Sequence, residues 1–275
     1  MKINEGGVNS PFIYLHLSSG ELLSFATEKM SQSLDQELQK FVREYGFTRP
    51  DRGDLDDPNK SWREGKPDYR KVDLLYFQGK SKNHKVGSLE MVVENLVKKW
   101  EMEMTHLSDS KDWTTLDVDK FCAQVNGGQE ISAGDAARVG SYNWLLNNTS
   151  KELYDAQAHT FESSHKLFRS TFVNGFPWEV LEVFSGPPKV AFTWRHWGVF
   201  NGEYNGRKGQ NEIIELYGFT IVTLSDSMKV IKLEVFSKFD EFLQVLKGTL
   251  TPSELEKGKS LLGSCCPLHQ QCKEC

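Results

Sequence analysis

The chain lacks any apolar run near the ~20 residues that a membrane-spanning helix needs. Its opening stretch, MKINEGGVNSPFIYLHL, carries an acid at Glu5 and a short apolar patch broken by His16. It resembles neither a secretory leader nor an arginine-rich transit segment, so a cytoplasmic location is expected. Excess positive charge is missing as well: 33 Lys and Arg face 38 Asp and Glu, a net charge of −5. That argues against a broad nucleic-acid-binding surface. Cysteine is sparse until the end of the chain. Cys122 stands alone, and the other four of the five crowd into CCPLHQQCKEC. In a cytoplasmic setting such a cluster is not a disulfide framework. Internal repeats and low-complexity tracts are also missing.

What is present suffices for a core. Of 275 residues, 38% are hydrophobic and 26% charged, which fits one large domain or two modest ones. Residues 1–30 show no clear period. Residues 33–45 read as a helix, with Ser33 as cap, Gln36 completing a capping-box pattern and Gly46 as the stop. The Pro-, Gly- and Asp-rich RPDRGDLDDPNKSWREGKPDY reads as an irregular connector, held on the body by Trp62 and Tyr69. Residues 88–107 give the strongest helical pattern. Ser88 is the cap, Leu89, Val93, Leu96, Val97, Trp100 and Met104 form the stripe, and Glu94 and Lys98 make an i,i+4 pair. KFCAQVNGG reads as a short strand ending in a turn. A further helix starts at Ser132 and runs through RVGSYNWLL.

The segment 158–247 predicts a helix near 159–172, strands near 178–185, 189–200, 212–224 and 229–237, and a closing helix FDEFLQVLK. Short hairpin-like connections favour consecutive antiparallel strands, hence an α+β layout with helices on one face of a curved sheet. Period-two reading puts Val190, Phe192, Trp194 and His196 on one face and Arg195 and Trp197 on the other. Arg195, Glu215, Tyr217 and Glu234 share the more mixed face. Neither face of FTWRHWGVF suits open water, so both should be covered, one by helices and the other by a second subunit or the N-terminal segment.

WEMEMTH, VNGG, GSYNWLL, FESSHKLFRSTF, GFPWEVLEVFSGPP and FTWRHWG, in this order, resemble the pathogen-related protein family of plants and its relatives. The resemblance spans roughly Pro50 to Lys247. It implies a SnoaL-like domain with the cone-shaped fold of nuclear transport factor 2. There a bent antiparallel sheet wraps helices around an apolar pocket, and homodimers form through the sheet. The implied division is an N-terminal extension with one helix and a connector (1–87), the cone domain with its preceding helices (88–248), and a C-terminal helix with a Cys-rich tail (249–275). SnoaL-like cyclases often carry an acid at the end of the last strand. Lys238 stands there in this chain, with Asp240 two residues on.

Two functional readings follow, because such folds host both enzymes and binding modules. In the first, the cone takes a small hydrophobic or aromatic molecule, in a stress or defence setting, with Trp194, Trp197, Tyr217, His165, Phe168 and Glu234 as ligand-binding candidates. In the second, a proton-transfer enzyme (cyclase, isomerase or dehydratase) uses His196 or Glu215 as base and Arg195 or Tyr217 to steady an enolate oxygen. A third reading is a protein-interaction module. The structural alternative for Arg195, Glu215 and Glu234 is an ion-pair network between strands; for His165 it is a core histidine with a backbone partner. Glu103 and His106 have an i,i+3 spacing seen in metal-binding helices, but the second half of such a site is missing. No metal and no cofactor is expected, and the cysteine tail is expected to be a reduced, loose end.

Overall fold

A computed structural model describes residues 19–254, with side chains from residue 31 onward. The cysteine tail and the first eighteen residues lie outside the described residues. The expected strands are present, with boundaries within a residue. β1 (Cys122–Val125) and β2 (Ile131–Ser132) come first. β3 (Trp178–Ser185), β4 (Lys189–Phe200), β7 (Glu212–Leu224) and β8 (Val230–Ser237) build the body of the sheet. Between β4 and β7, NGEYNGRKGQ folds into a small hairpin, β5 (Glu203–Tyr204) and β6 (Arg207–Lys208). The sheet order is β2-β1-β8-β7-β4-β3. The long strands pair antiparallel, as their short connections require. β1 departs from this pattern and lies parallel to β8, which its long connection allows.

Seven helices are described. They are α1 (Ser19–Tyr45), α2 (Arg70–Gly79), α3 (Leu89–His106), α4 (Ala133–Val139), α5 (Ser141–Leu145), α6 (Phe161–Thr171) and α7 (Phe239–Lys247). α3 starts where expected, with the Ser88 side chain accepting from Met91 N. α6 begins with a reciprocal capping box between Thr160 and Ser163. Three expectations need correction. Ser33 caps nothing: α1 begins fourteen residues earlier, at Ser19. The N-terminal extension holds two helices rather than one. And the helix starting at Ser132 breaks at Gly140, whose φ of +88° only glycine adopts readily. A Cβ there would also lie 2.8 Å from the Phe161 ring.

The sheet is bent around the helices, and its two faces have different covers. Val190, Phe192 and Trp194 join Phe168 of α6 and Phe172, just beyond its end, in the main core. Gly218 stands opposite Trp194 on β7, and a Cβ there would run into the indole. Trp197, on the other face, belongs to a second cluster with Leu38 of α1 and Tyr76 and Phe77 of α2. The N-terminal helices are thus a cover for the outer face. The connector 46–69 does lie on the body. Trp62 bridges to Leu107, Arg63 N donates to His106 O, and Ser108 N donates to Ser61 O.

Candidate functional site

The three residues expected to act together do not share a face. Arg195 lies on the outer face, where its Nε is 2.8 Å from Glu179 and its Nη1 3.1 Å from Glu215. A third nitrogen donates to Gly79 O at the end of α2, and the guanidinium lies 4.1 Å over the Trp197 ring. Glu179 is fully buried and also accepts from Ser81 N, Ser81 Oγ and Lys82 N. A buried guanidinium with two carboxylates and a carbonyl is a clamp between α2 and the sheet. Glu215 is the partner expected from the sequence. Glu234 is not: β8 pairs it with Ile221, and it accepts from Gln124 instead. The partner the sequence reading missed is Glu179. Its signal was present in GFPWEVLEVF, as an acid directly between the apolar Trp178 and Val180. Tyr217 stays on this face and donates to Glu215 at 3.3 Å.

His196 lies on the inner face. Its Nδ1 is 2.9 Å from Pro177 O, and its ring stacks on Phe176 at 3.8 Å. A carbonyl only accepts, so Nδ1 carries the proton and Nε2 the lone pair. Burial holds the imidazole neutral, with its pKa pushed down to about 3. Trp194 donates from Nε1 to Thr220 Oγ1 at 2.9 Å. His165 has partners at both nitrogens, Phe161 O at 2.8 Å and Ser141 Oγ at 3.2 Å, and Phe168 is packed in the core. The groove of about 710 Å³ between α4, α5 and the start of α6 is lined by none of these candidates.

The chemistry the sequence reading underweighted runs along α3. Glu94, Lys98, Glu101 and Thr105 recur at helical spacing and form one stripe. Glu94 and Lys98, expected as an i,i+4 pair, are both buried and bond to other partners. Glu94 takes Val180 N at 3.1 Å and the Tyr76 hydroxyl, while Lys98 Nζ donates to Trp178 O at 2.6 Å. Together they satisfy the free edge of β3. Glu101 differs again. Its side chain keeps accessible surface, yet desolvation raises its carboxyl pKa. Arg52, Lys98 and Arg169 are its charged neighbours, Thr105 bonds to it, and its charge also raises the pKa values of Tyr69 and Tyr142, both shifted mainly by burial. Glu101 is therefore an exposed carboxyl on the side of α3 that meets the connector, α5 and α6. Glu103, between Glu101 and Thr105 in sequence but off this stripe, has both oxygens committed to Thr114 and Thr115. Among the described residues, no three His, Cys, Asp or Glu side chains gather as a metal would require.

No helix of the described residues is long and apolar enough to cross a membrane. No family model matches the chain. Solved structures similar to it include a protein named as a SnoaL-like polyketide cyclase from Jannaschia sp. CCS1. The two share 14% identity over 61% of this chain and 97% of the other, with a TM-score of 0.32. Another is a Catenulispora acidiphila protein with a ketosteroid isomerase-like fold, at 7% identity over 57% and 95% of the two chains, TM-score 0.33. Scores this low add no weight to the topology already described. The sequence relationship is stronger: 188 residues, 66% of this chain and 80% of the relative, are 33% identical to the pathogen-related protein of Hordeum vulgare. With that identity and coverage, and with the bent α+β sheet behind it, the chain belongs to the pathogen-related protein family.

Proposed function

We propose that the protein binds a small apolar or aromatic molecule beside α3, where the connector, α5 and α6 meet it. The reading is supported by an exposed carboxyl, Glu101, beside a group of aromatic rings. Aromatic rings stand close by: Tyr142 is stacked on Phe168 at 4.2 Å, and Trp100 meets Trp144 edge-on at 6.3 Å. Rings bury large area and recognise flat ligands, and one polar group fixes orientation. Native mass spectrometry of protein isolated gently from its own source tests this. The expected result is a bound mass that is lost in the Glu101→Leu variant. An empty chain that also takes up nothing from a lipophile screen rejects the reading. A stress- or defence-related role in the cytoplasm is part of this proposal, and cell fractionation checks the location.

A second reading, proton transfer, is favoured by one pair. His196 offers a lone pair, and Glu101 has its pKa raised above the ordinary carboxyl value. An acid and a base together can move a proton on an enolisable substrate. Arg195 and Glu215 do not enter this version, because they lie on the outer face. It expects a bell-shaped pH profile for turnover, with separate losses in Glu101→Gln and His196→Asn.

Homodimerisation through the outer face belongs to the same proposal. Beyond the reach of α1 and α2, this face carries Phe184, Phe219 and Phe236 as a continuous aromatic row, with neighbouring ring centroids 6.2 and 6.3 Å apart. Phe184 is 56% exposed.

A further inference from the structure

The groove between α4, α5 and the start of α6 is separate from the site proposed beside α3, and Glu101 does not line it. At about 710 Å³ it falls within the roughly 300–1,000 Å³ of small-molecule sites. Such sites are mostly apolar. This one carries six primary amides on its walls. Three of them are spent on the fold. Asn143 Nδ2 is shared among the carbonyls of Val139, His159 and Thr160, and its oxygen accepts from the Tyr154 hydroxyl. Asn148 donates to Val125 O at 2.8 Å, and Gln124 donates to Glu234 at 3.1 Å. These bonds fix the walls before any ligand arrives, which lowers the cost of binding. The other three, Gln129, Asn147 and Gln157, are exposed, and their side chains make no hydrogen bond among the described residues.

Charge in the groove is close to balanced. Arg138 pairs with Asp135 at 2.9 Å, and Glu130 turns to Lys232 at 3.2 Å. Arg63, its guanidinium 3.9 Å over the Phe161 ring, interacts with Glu162. An ion therefore finds no surplus of opposite charge, whereas a neutral molecule with many donors and acceptors finds unspent amides. An amide presents a donor and an acceptor side by side, as each hydroxyl of a sugar does. Ile131 and Val139 add apolar surface for the C–H faces of the rings. We propose that this groove binds a short neutral oligosaccharide, held by Gln129, Asn147 and Gln157.

The test uses the full chain with cellotriose, maltotriose and chitotriose, each at up to about 10 mM, with saturation-transfer NMR for contact and calorimetry for affinity. At least one is expected to bind with a Kd of about 1 mM or tighter. Combining Gln129→Ala, Asn147→Ala and Gln157→Ala should weaken it at least about tenfold. The melting temperature should stay unchanged, because these side chains hold nothing in the fold. Glu101→Leu should leave the affinity intact; a loss there places the sugar beside α3 and overturns the groove. Absence of binding by all three sugars, or equal affinity in the triple variant, also overturns the proposal. So does tighter binding of trigalacturonic acid, which would show that Arg63 and not the amides selects the ligand.

Discussion

Three histidines are held neutral by burial: His106 with its pKa lowered to about 4, His165 to about 4 and His196 to about 3. Unfolded, each would titrate near the usual 6.5. Below that value the unfolded chain binds more protons than the folded one, so stability falls as pH falls. Each histidine contributes a slope of up to about 1.4 kcal/mol per pH unit between roughly pH 6.5 and its folded value. Glu101, with its pKa raised, works in the opposite sense over part of this range. The expected outcome is a melting temperature that is level near pH 7–8 and drops steeply between pH 6 and 4. His165→Asn, which keeps polar reach without a titrating ring, should flatten the drop. A second expectation concerns Glu179. Glu179→Ala leaves Arg195 with Glu215 alone and strands the Ser81 and Lys82 donors, at a cost of about 3 kcal/mol. Glu179→Gln should recover part of that. Urea denaturation measures both, and a loss under about 0.5 kcal/mol for the alanine variant would show that the clamp holds little.

Among the elements, the long strands were legible because each is an apolar-rich run bounded by turn residues and the connections between them were short, although the register shifts in β3 were not. The helix ends with polar caps, Ser88, Thr160 and Ser132, were visible for the same local reason. Other features depend on contacts remote in sequence. α2 is a ten-residue helix whose buried side is set by Trp197 and Arg195, more than a hundred positions away. Gly140 could be read as a break only by knowing that Phe161 packs against it. The site was half legible. Parity placed Arg195 and Glu215 together and His196 apart, but the polar stripe on α3 was hidden by the stronger apolar stripe beside it. Gly140→Ala tests the break directly. A Cβ at that φ, pressed against Phe161, should cost at least about 2 kcal/mol. Differential scanning calorimetry reads this out. A stability equal to wild type would mean that α4 and α5 can merge into one helix.

For the whole molecule, the question is what shares the outer face of the sheet. The N-terminal helices occupy the end around Trp197, and the aromatic row of Phe184, Phe219 and Phe236 is left on the same face. A second copy laid on that row would bury it in a self-complementary contact. Light scattering on the full chain should give twice the chain mass. Phe219→Glu puts a charge in the middle of the row and should shift the mass to that of one chain, with the melting curve of the monomer intact. A single-chain mass for the wild type removes the dimer from the proposal.

The side chains that satisfy β3 have an effect beyond holding the helix to the sheet. Trp178 O, Val180 N and Val180 O, the groups through which another strand would zip on, are taken by Lys98, Glu94 and His84. The opposite border, β2, is only two residues long. A row of native subunits therefore cannot grow strand by strand in either direction. That leaves the broad side of the sheet, with its aromatic row, as the surface through which the proposed dimer would form and close. The stripe on α3 is thus also a safeguard against fibres: any variant that empties positions 94 and 98 together should be watched for slow, seeded aggregation as well as for loss of stability.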